Sequence, residues 1–165
     1  MIERVPPQNI EAEQAVIGGM LIEKEAISKV AEFLKADDFY REAHRLIFEA
    51  MLELFNKNEA VDLVTVTEVL RKNDKLEAVG GIAYITSLAN SVPTAANINY
   101  HGKIVEEKAL LRGLINSATH IASMGYEDTE AVADIIDKAE KMILEVSERK
   151  MSGDFVPIKS IIFDA

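Results

Sequence analysis

From Ala95 to Met124 no proline interrupts the chain, and Ile98, Ile104, Val105, Leu111, Ile115, Ala118 and Ala122 recur near the helical period. Such a run is one long helix, about 45 Å at ~1.5 Å per residue, and Thr94 offers it a cap. Gly125-Tyr126-Glu127-Asp128 supplies a helix stop and a new cap. Beyond it Val132, Ile135, Ala139, Met142 and Val146 fall on a strict heptad that Ile136 and Ile143 widen. Two rods joined by so short a turn form an antiparallel hairpin, and any fold for this chain must accommodate it.

Leu110, Leu114 and Ile121 lie to one side of the first rod's main stripe, so the hairpin carries more apolar surface than a two-helix contact hides. Either the compact part of the same chain covers the surplus or another copy does. On the second reading Leu110, Leu111, Leu114, Ile135 and Met142 are the self-association candidates.

Residues 1–93 read as a compact helical subdomain. Asn9 caps a first helix running to about Leu21, with Glu11 and Glu13 in the first turn where the dipole favours acids. Ile27, Val30, Ala31 and Leu34 continue at helical spacing to a break at Ala36-Asp37-Asp38. A further stripe follows from Ala43 through Leu46, Ile47, Ala50, Met51, Leu54 and Phe55. Val61-Asp62-Leu63-Val64-Thr65-Val66 is strand-like by β-branching. Asp62 is nevertheless a good helix cap, and a lone strand has nothing to pair with. Gly80-Gly81 opens a short helix that Val92-Pro93 closes. Gly18-Gly19 lies inside the first helix, where small residues let a neighbouring helix approach. The expected fold is therefore all-α: this subdomain, the hairpin over residues 94–150, and a segment over residues 151–165.

That last segment opens with a short link, Met151-Ser152-Gly153-Asp154. Phe155, Ile158, Ile161 and Ile162 then follow, with Pro157 at a natural first helical position. So short a piece cannot bury these side chains by itself. It reads as a docking segment continuing into a further domain, or as a tail folded back on the hairpin.

Composition narrows the function. Hydrophobic residues at 48% and charged ones at 28% describe a globular protein that folds. No apolar run approaches the ~20 residues of a membrane span, and no signal peptide is present, so a cytoplasmic protein is expected. Cysteine is absent, which excludes disulfides and thiolate metal sites. A net charge of −10 argues against a direct grip on nucleic acid, most of all along the acid-rich stretch from Glu127 to Glu148. No P-loop occurs, because Gly102-Lys103 runs into Ile104 and Lys159-Ser160 follows Ile158. His44, His101 and His120 stand singly without metal-ligand spacing, and the nucleophile elbow of serine hydrolases is missing. The paired acids Asp37-Asp38 and Glu106-Glu107 read as solvated charge and capping. No catalytic residue, metal or cofactor is expected.

Several ordered blocks together resemble the N-terminal collar of DnaB-type bacterial replicative DNA helicases. They are Pro-Pro-Gln-Asn-Ile-Glu-Ala-Glu-Gln-Ala-Val-Ile-Gly-Gly at 6–19, Asp-Asp-Phe-Tyr at 37–40 with His44, and Val-Asp-Leu-Val-Thr-Val-Thr at 61–67. Gly-Gly-Ile-Ala-Tyr-Ile at 80–85, Ser-Val-Pro-Thr-Ala-Ala-Asn-Ile at 91–98, Lys103 to Lys108 and Leu111-Arg112 continue the pattern. The resemblance implies a non-catalytic assembly and primase-recruitment domain of a hexameric ring helicase. ATP, Mg and DNA would be handled by a RecA-like motor beyond residue 165. It implies a linker, carried here by Phe155, Ile158, Ile161 and Ile162, docking on the neighbouring subunit's ATPase domain, with a helicase loader as a further partner. It also places contacts for the C-terminal domain of primase at Tyr84, Ile115 and Ile121. The rival reading is the helicase-binding domain of a primase, which resembles the same architecture; the Ile-Glu-Ala-Glu-Gln-Ala-Val and Pro-Thr-Ala-Ala-Asn blocks fit the helicase side. Gly102 and Gly113 depart from the pattern, as glycines that loosen the long rod.

Overall fold

The computed structural model describes residues 4–154, with side chains as far as Lys150. Among them every regular element is helical: α1 (Ile10–Ile22), α2 (Ala26–Val30), a 3-10 turn (Ala36–Asp38), α3 (Glu42–Asn56), α4 (Leu63–Lys72), α5 (Gly81–Asn90), α6 (Ile98–Glu127) and α7 (Val132–Asp154). The chain divides into two compact units between Ala109 and Leu110, inside α6.

In the first unit α1 is the central element. Asn9 caps it, its side-chain oxygen accepting from the Ala12 N–H at 2.9 Å. Val16 to Leu21 are then buried without a break, so neighbours surround the second half of this helix rather than lining one stripe. It packs most extensively on α5 and next on α3, while α4 closes the unit against α3 and α5. Val16, Ile17 and Met20 meet Ile47, Phe48, Met51, Ile85 and Leu88 in one core, each side chain contributing about 1.5–3 kcal/mol by leaving water. Phe39 and Phe48 lie with ring centroids 4.9 Å apart.

Glycine permits the tightest contact. A Cβ on Gly18 would stand 2.2 Å from Val92 Cγ2 and 2.4 Å from the Leu88 carbonyl oxygen, so α1 and the end of α5 touch through bare backbone. Gly102 plays a similar part and does not loosen the rod: it is buried, and a Cβ there would meet Phe33 Cζ at 2.8 Å. Gly113 has nothing within 4 Å.

The segment at 61–67 is helical. Asp62 Oδ1 accepts from the Thr65 N–H at 3.0 Å, and Thr65 Oγ1 accepts from the Asp62 N–H at 2.9 Å. This reciprocal cap starts α4, and burial of Val66 and Leu70 holds it. α6 starts at Ile98, four residues after Thr94. Ile98, Gly102 and Val105 are buried, which brings the first turns of α6 into the first unit.

The second unit is the helical hairpin. On α7 the half-buried positions Ile135, Ala139, Met142 and Val146 keep the heptad register; on α6 the half-buried positions include Leu110, Ser117, Ile121 and Met124. Leu111, Leu114, Ile115, Ala118 and Ala122 are exposed. The stripe that periodicity marks as principal is thus the open one here, while Leu110 and Ile121 are partly covered. The physical reason is phase rather than period: the covered row Leu110, Gly113, Ser117, Ile121 and Met124 keeps 3-4 spacing but runs one residue ahead of the apolar stripe. The helix α7 continues as far as Asp154, through the residues whose composition reads as a link.

Gly18→Ala is expected to destabilise the protein by about 2–3 kcal/mol, because the new methyl meets backbone that cannot move aside. Gly113→Ala should instead leave stability unchanged or raise it by up to about 1 kcal/mol. Chemical denaturation followed by circular dichroism separates the two, and equal midpoints would contradict the packing described.

Candidate functional site

A carboxylate sits in the core. Glu13 shares the inward face of α1 with Val16, Ile17 and Met20 and is 1% exposed. The sequence reading gave it a dipole-stabilising place in the first turn; burial gives it a larger role. A charge so placed is tolerated only if hydrogen-bond donors surround it.

The turn between the 3-10 segment and α3 supplies them. Phe39, buried, pins this turn, and Phe39 and Arg41 are extended. That backbone frees the amides of residues 40 and 41 from any helical ladder. The Tyr40 N–H donates to Glu13 Oε2 at 2.7 Å and the Arg41 N–H to Oε1 at 3.3 Å. His44, in the first turn of α3 and wholly buried, places Nδ1 2.8 Å from Oε1. A carboxylate only accepts, so His44 Nδ1 carries a hydrogen.

The other edge of the imidazole faces α5. His44 Nε2 lies 2.7 Å from the Tyr84 hydroxyl, and the two rings stack at 13° with centroids 6.0 Å apart. The Arg41 Nη1 and the Gln14 Nε2 also donate to that hydroxyl oxygen, at 3.1 and 3.4 Å. With Nε2 as acceptor, the Tyr84 O–H donates to it and both lone pairs remain for Arg41 and Gln14. Every polar group of the chain Glu13–His44–Tyr84 is then satisfied.

This geometry locks α1, α3 and α5 together. Two surface cavities, of about 370 Å³ between Ser28, Phe33 and Lys103 and about 280 Å³ between Leu46, Leu70 and Lys75, include none of its members. Among the described residues no group of His, Asp and Glu is placed to hold a metal ion. His101 is half-buried with its ring edge-on to Tyr100, and His120 is exposed. Asp38 is buried and accepts from the Lys35 N–H at 2.8 Å, which makes it a cap and not solvated charge.

Of the primase-contact candidates, Tyr84 is half-buried in the first unit. Ile115 is 48% exposed and Ile121 half-buried, both in the second. Of the self-association candidates Leu111 and Leu114 are open at 45% and 42%, whereas Leu110, Ile135 and Met142 are half-buried. Val132, Ile136 and Ile143 add an exposed apolar row on α7. Phe155, Ile158, Ile161 and Ile162 lie outside the described residues. Sequence reasoning missed Glu13 and Arg41; the available signal was an acid on an apolar helix face with a lone histidine downstream.

Known proteins resemble this arrangement over most of its length. The signature of the DnaB-like helicase N terminal domain family matches residues 5–107. The replicative DNA helicase DnaC of Bacillus subtilis (strain 168) is 53% identical over 160 residues, which are 97% of this chain and 35% of the relative. The replicative DNA helicase DnaB of Geobacillus stearothermophilus is 49% identical over the same shares. The chain thus spans 35% of the length of these curated relatives. Among solved structures, the N-terminal domain of DnaB helicase from Mycobacterium tuberculosis matches with a TM-score of 0.82 and 43% identity, covering 86% of this chain and 99% of that one. A DnaB-like replicative helicase described with its interactions with primase matches with a TM-score of 0.70 and 29% identity, over 86% of this chain and 31% of that one.

Tyr84→Phe keeps the stacked ring and removes only the hydroxyl, stranding His44 Nε2, and is expected to cost about 1–3 kcal/mol. Glu13→Gln sets an amide N–H against donors and should cost about 3 kcal/mol or more. Denaturation midpoints measure both, and a neutral Glu13→Gln would show that the network does not hold the fold.

Proposed function

The chain belongs to the DnaB-like helicase N terminal domain family, and on that premise we propose that it is the non-catalytic assembly and primase-recruitment part of a ring-shaped replicative helicase. The observation that carries the reading is the open apolar surface of the hairpin, with Leu111, Leu114 and Ile115 on α6 and Val132, Ile136 and Ile143 on α7 all exposed. Large apolar residues left open along both helices of a pair mark surface that another protein covers. A second copy, meeting hairpin to hairpin, covers it symmetrically.

Recruitment of primase falls to Tyr84, Ile115 and Ile121 in this reading, with the aromatic ring and the aliphatic side chains as anchors. Tyr84 is half-buried at the surface, and its hydroxyl is engaged by His44, Arg41 and Gln14. Phe155, Ile158, Ile161 and Ile162 would dock on the neighbouring subunit's ATPase domain, and a helicase loader is a further candidate partner. ATP and Mg belong with that motor domain, and unwinding is its work. Acidity favours protein partners over direct nucleic-acid contact for these residues. Among the described residues no helix is long and apolar enough to cross a membrane, in keeping with a place at the replication fork in the bacterial cytoplasm. The relatives named above are replicative helicases, which favours this reading over the rival one as a primase domain.

Sedimentation across concentrations, alone and with the C-terminal domain of primase, tests both halves. The chain is expected to sediment as dimers or larger assemblies, and Leu111→Glu with Leu114→Glu should return it to monomers without loss of helicity. Ile115→Ala and Ile121→Ala should each weaken primase binding by about tenfold. A strict monomer indifferent to primase would remove the proposal.

A further inference from the structure

Arg41 is an exposed arginine that the fold does not use for its charge. Its backbone amide is fixed by Glu13 and its Nη1 by the Tyr84 hydroxyl, yet among the described residues no carboxylate lies within ion-pair distance of its guanidinium. It occupies the N-cap of α3 without capping it, and a cation at that end of a helix opposes the dipole. The charge therefore does nothing for α3. One turn along, Arg45 is similar: Nη2 reaches the Tyr40 carbonyl at 3.4 Å, Nε is buried without an acceptor, and no acid pairs with it among the described residues.

From these observations, and resting on the recruitment reading above, we infer that Arg41 and Arg45 form a recognition site for an acidic side chain of the primase domain that docks beside Tyr84. A guanidinium presents a rigid fork of donors that a carboxylate fills with two parallel hydrogen bonds. The Tyr84 hydroxyl holds Arg41 in place beforehand, so little side-chain freedom is lost when the carboxylate arrives. Arginine beside a half-exposed aromatic is also the composition of energetic anchors at protein interfaces. The surrounding charge sharpens the choice. Acids outnumber bases 28 to 18 over the chain, so a partner's carboxylate is repelled over most of the surface and accepted where two unpaired arginines stand together.

The test is the affinity of the intact chain for the C-terminal domain of primase, at low and at high salt. Arg41→Gln retains a donor for the Tyr84 hydroxyl and removes the charge. It should weaken binding roughly tenfold at low salt and by less at high salt, with an unchanged thermal midpoint. Arg41→Lys, which keeps the charge without the fork, should recover only part of the loss. Arg41→Glu should weaken binding further, and reversing one acidic residue of the primase domain to lysine should restore it. Arg41→Gln binding as tightly as the wild type at low salt would overturn the inference and leave recruitment standing. Absence of binding by the wild type would overturn both.

Discussion

A carboxylate cannot stay charged inside a protein without donors arranged around it, and burial of Glu13 sets that requirement at the centre of the first unit. Its donors come from the turn at residues 40 and 41 and from His44, and His44 in turn engages Tyr84 on α5. Three separate helices and a turn are thereby fixed in one mutual register. Apolar packing alone is weakly directional and tolerates sliding between helices. A hydrogen-bonded chain with every position filled does not. In an all-helical unit without a sheet ladder, this network is what distinguishes one arrangement of α1, α3 and α5 from its neighbours in energy.

The second unit is built on the opposite plan. No residue described after Ala109 is fully buried, so the hairpin has a seam and no interior. Long isolated helices gain little stability from propensity alone, and a seam of half-buried residues leaves much apolar surface in water. The first unit has a filled core of its own, while Leu111, Leu114 and Ile115 of the hairpin stand open to water. The proposed assembly role fits that division, with one part that folds before any partner arrives and one whose burial depends on the partner.

Much of the architecture was legible because it rests on local rules. Asn9 and Asp62 cap the helices their positions suggest, the Val61–Val66 stretch obeys its cap over its β-branching, and Gly18 is a packing glycine. What escaped the reading depends on long-range geometry. Thr94 does accept from the Ala96 N–H, but α6 starts only at Ile98. The stripe through Leu111, Ile115, Ala118 and Ala122 is regular and yet open, because the covered row of α6 runs one residue earlier, through Leu110, Ser117 and Ile121. Glu13, His44 and Tyr84 each fell inside a conspicuous block of sequence. Nothing in their spacing announces that residues 31 and 40 positions apart meet through one imidazole.

In the proposed recruitment role, convergence of those blocks lets Tyr84 serve folding and recognition through different atoms. Its hydroxyl is saturated from within, donating to His44 and accepting from Arg41 and Gln14. In the same proposal, polar recognition at this spot passes to the neighbouring guanidinium, which donates to that hydroxyl. Removing the hydroxyl acts on the core first, because it strands a buried ring nitrogen. Removing the arginine's charge leaves the core intact, because Glu13 holds only the backbone of that residue. The fold thus keeps apart the group that stabilises it and the charge it presents outward, although both meet at one oxygen atom.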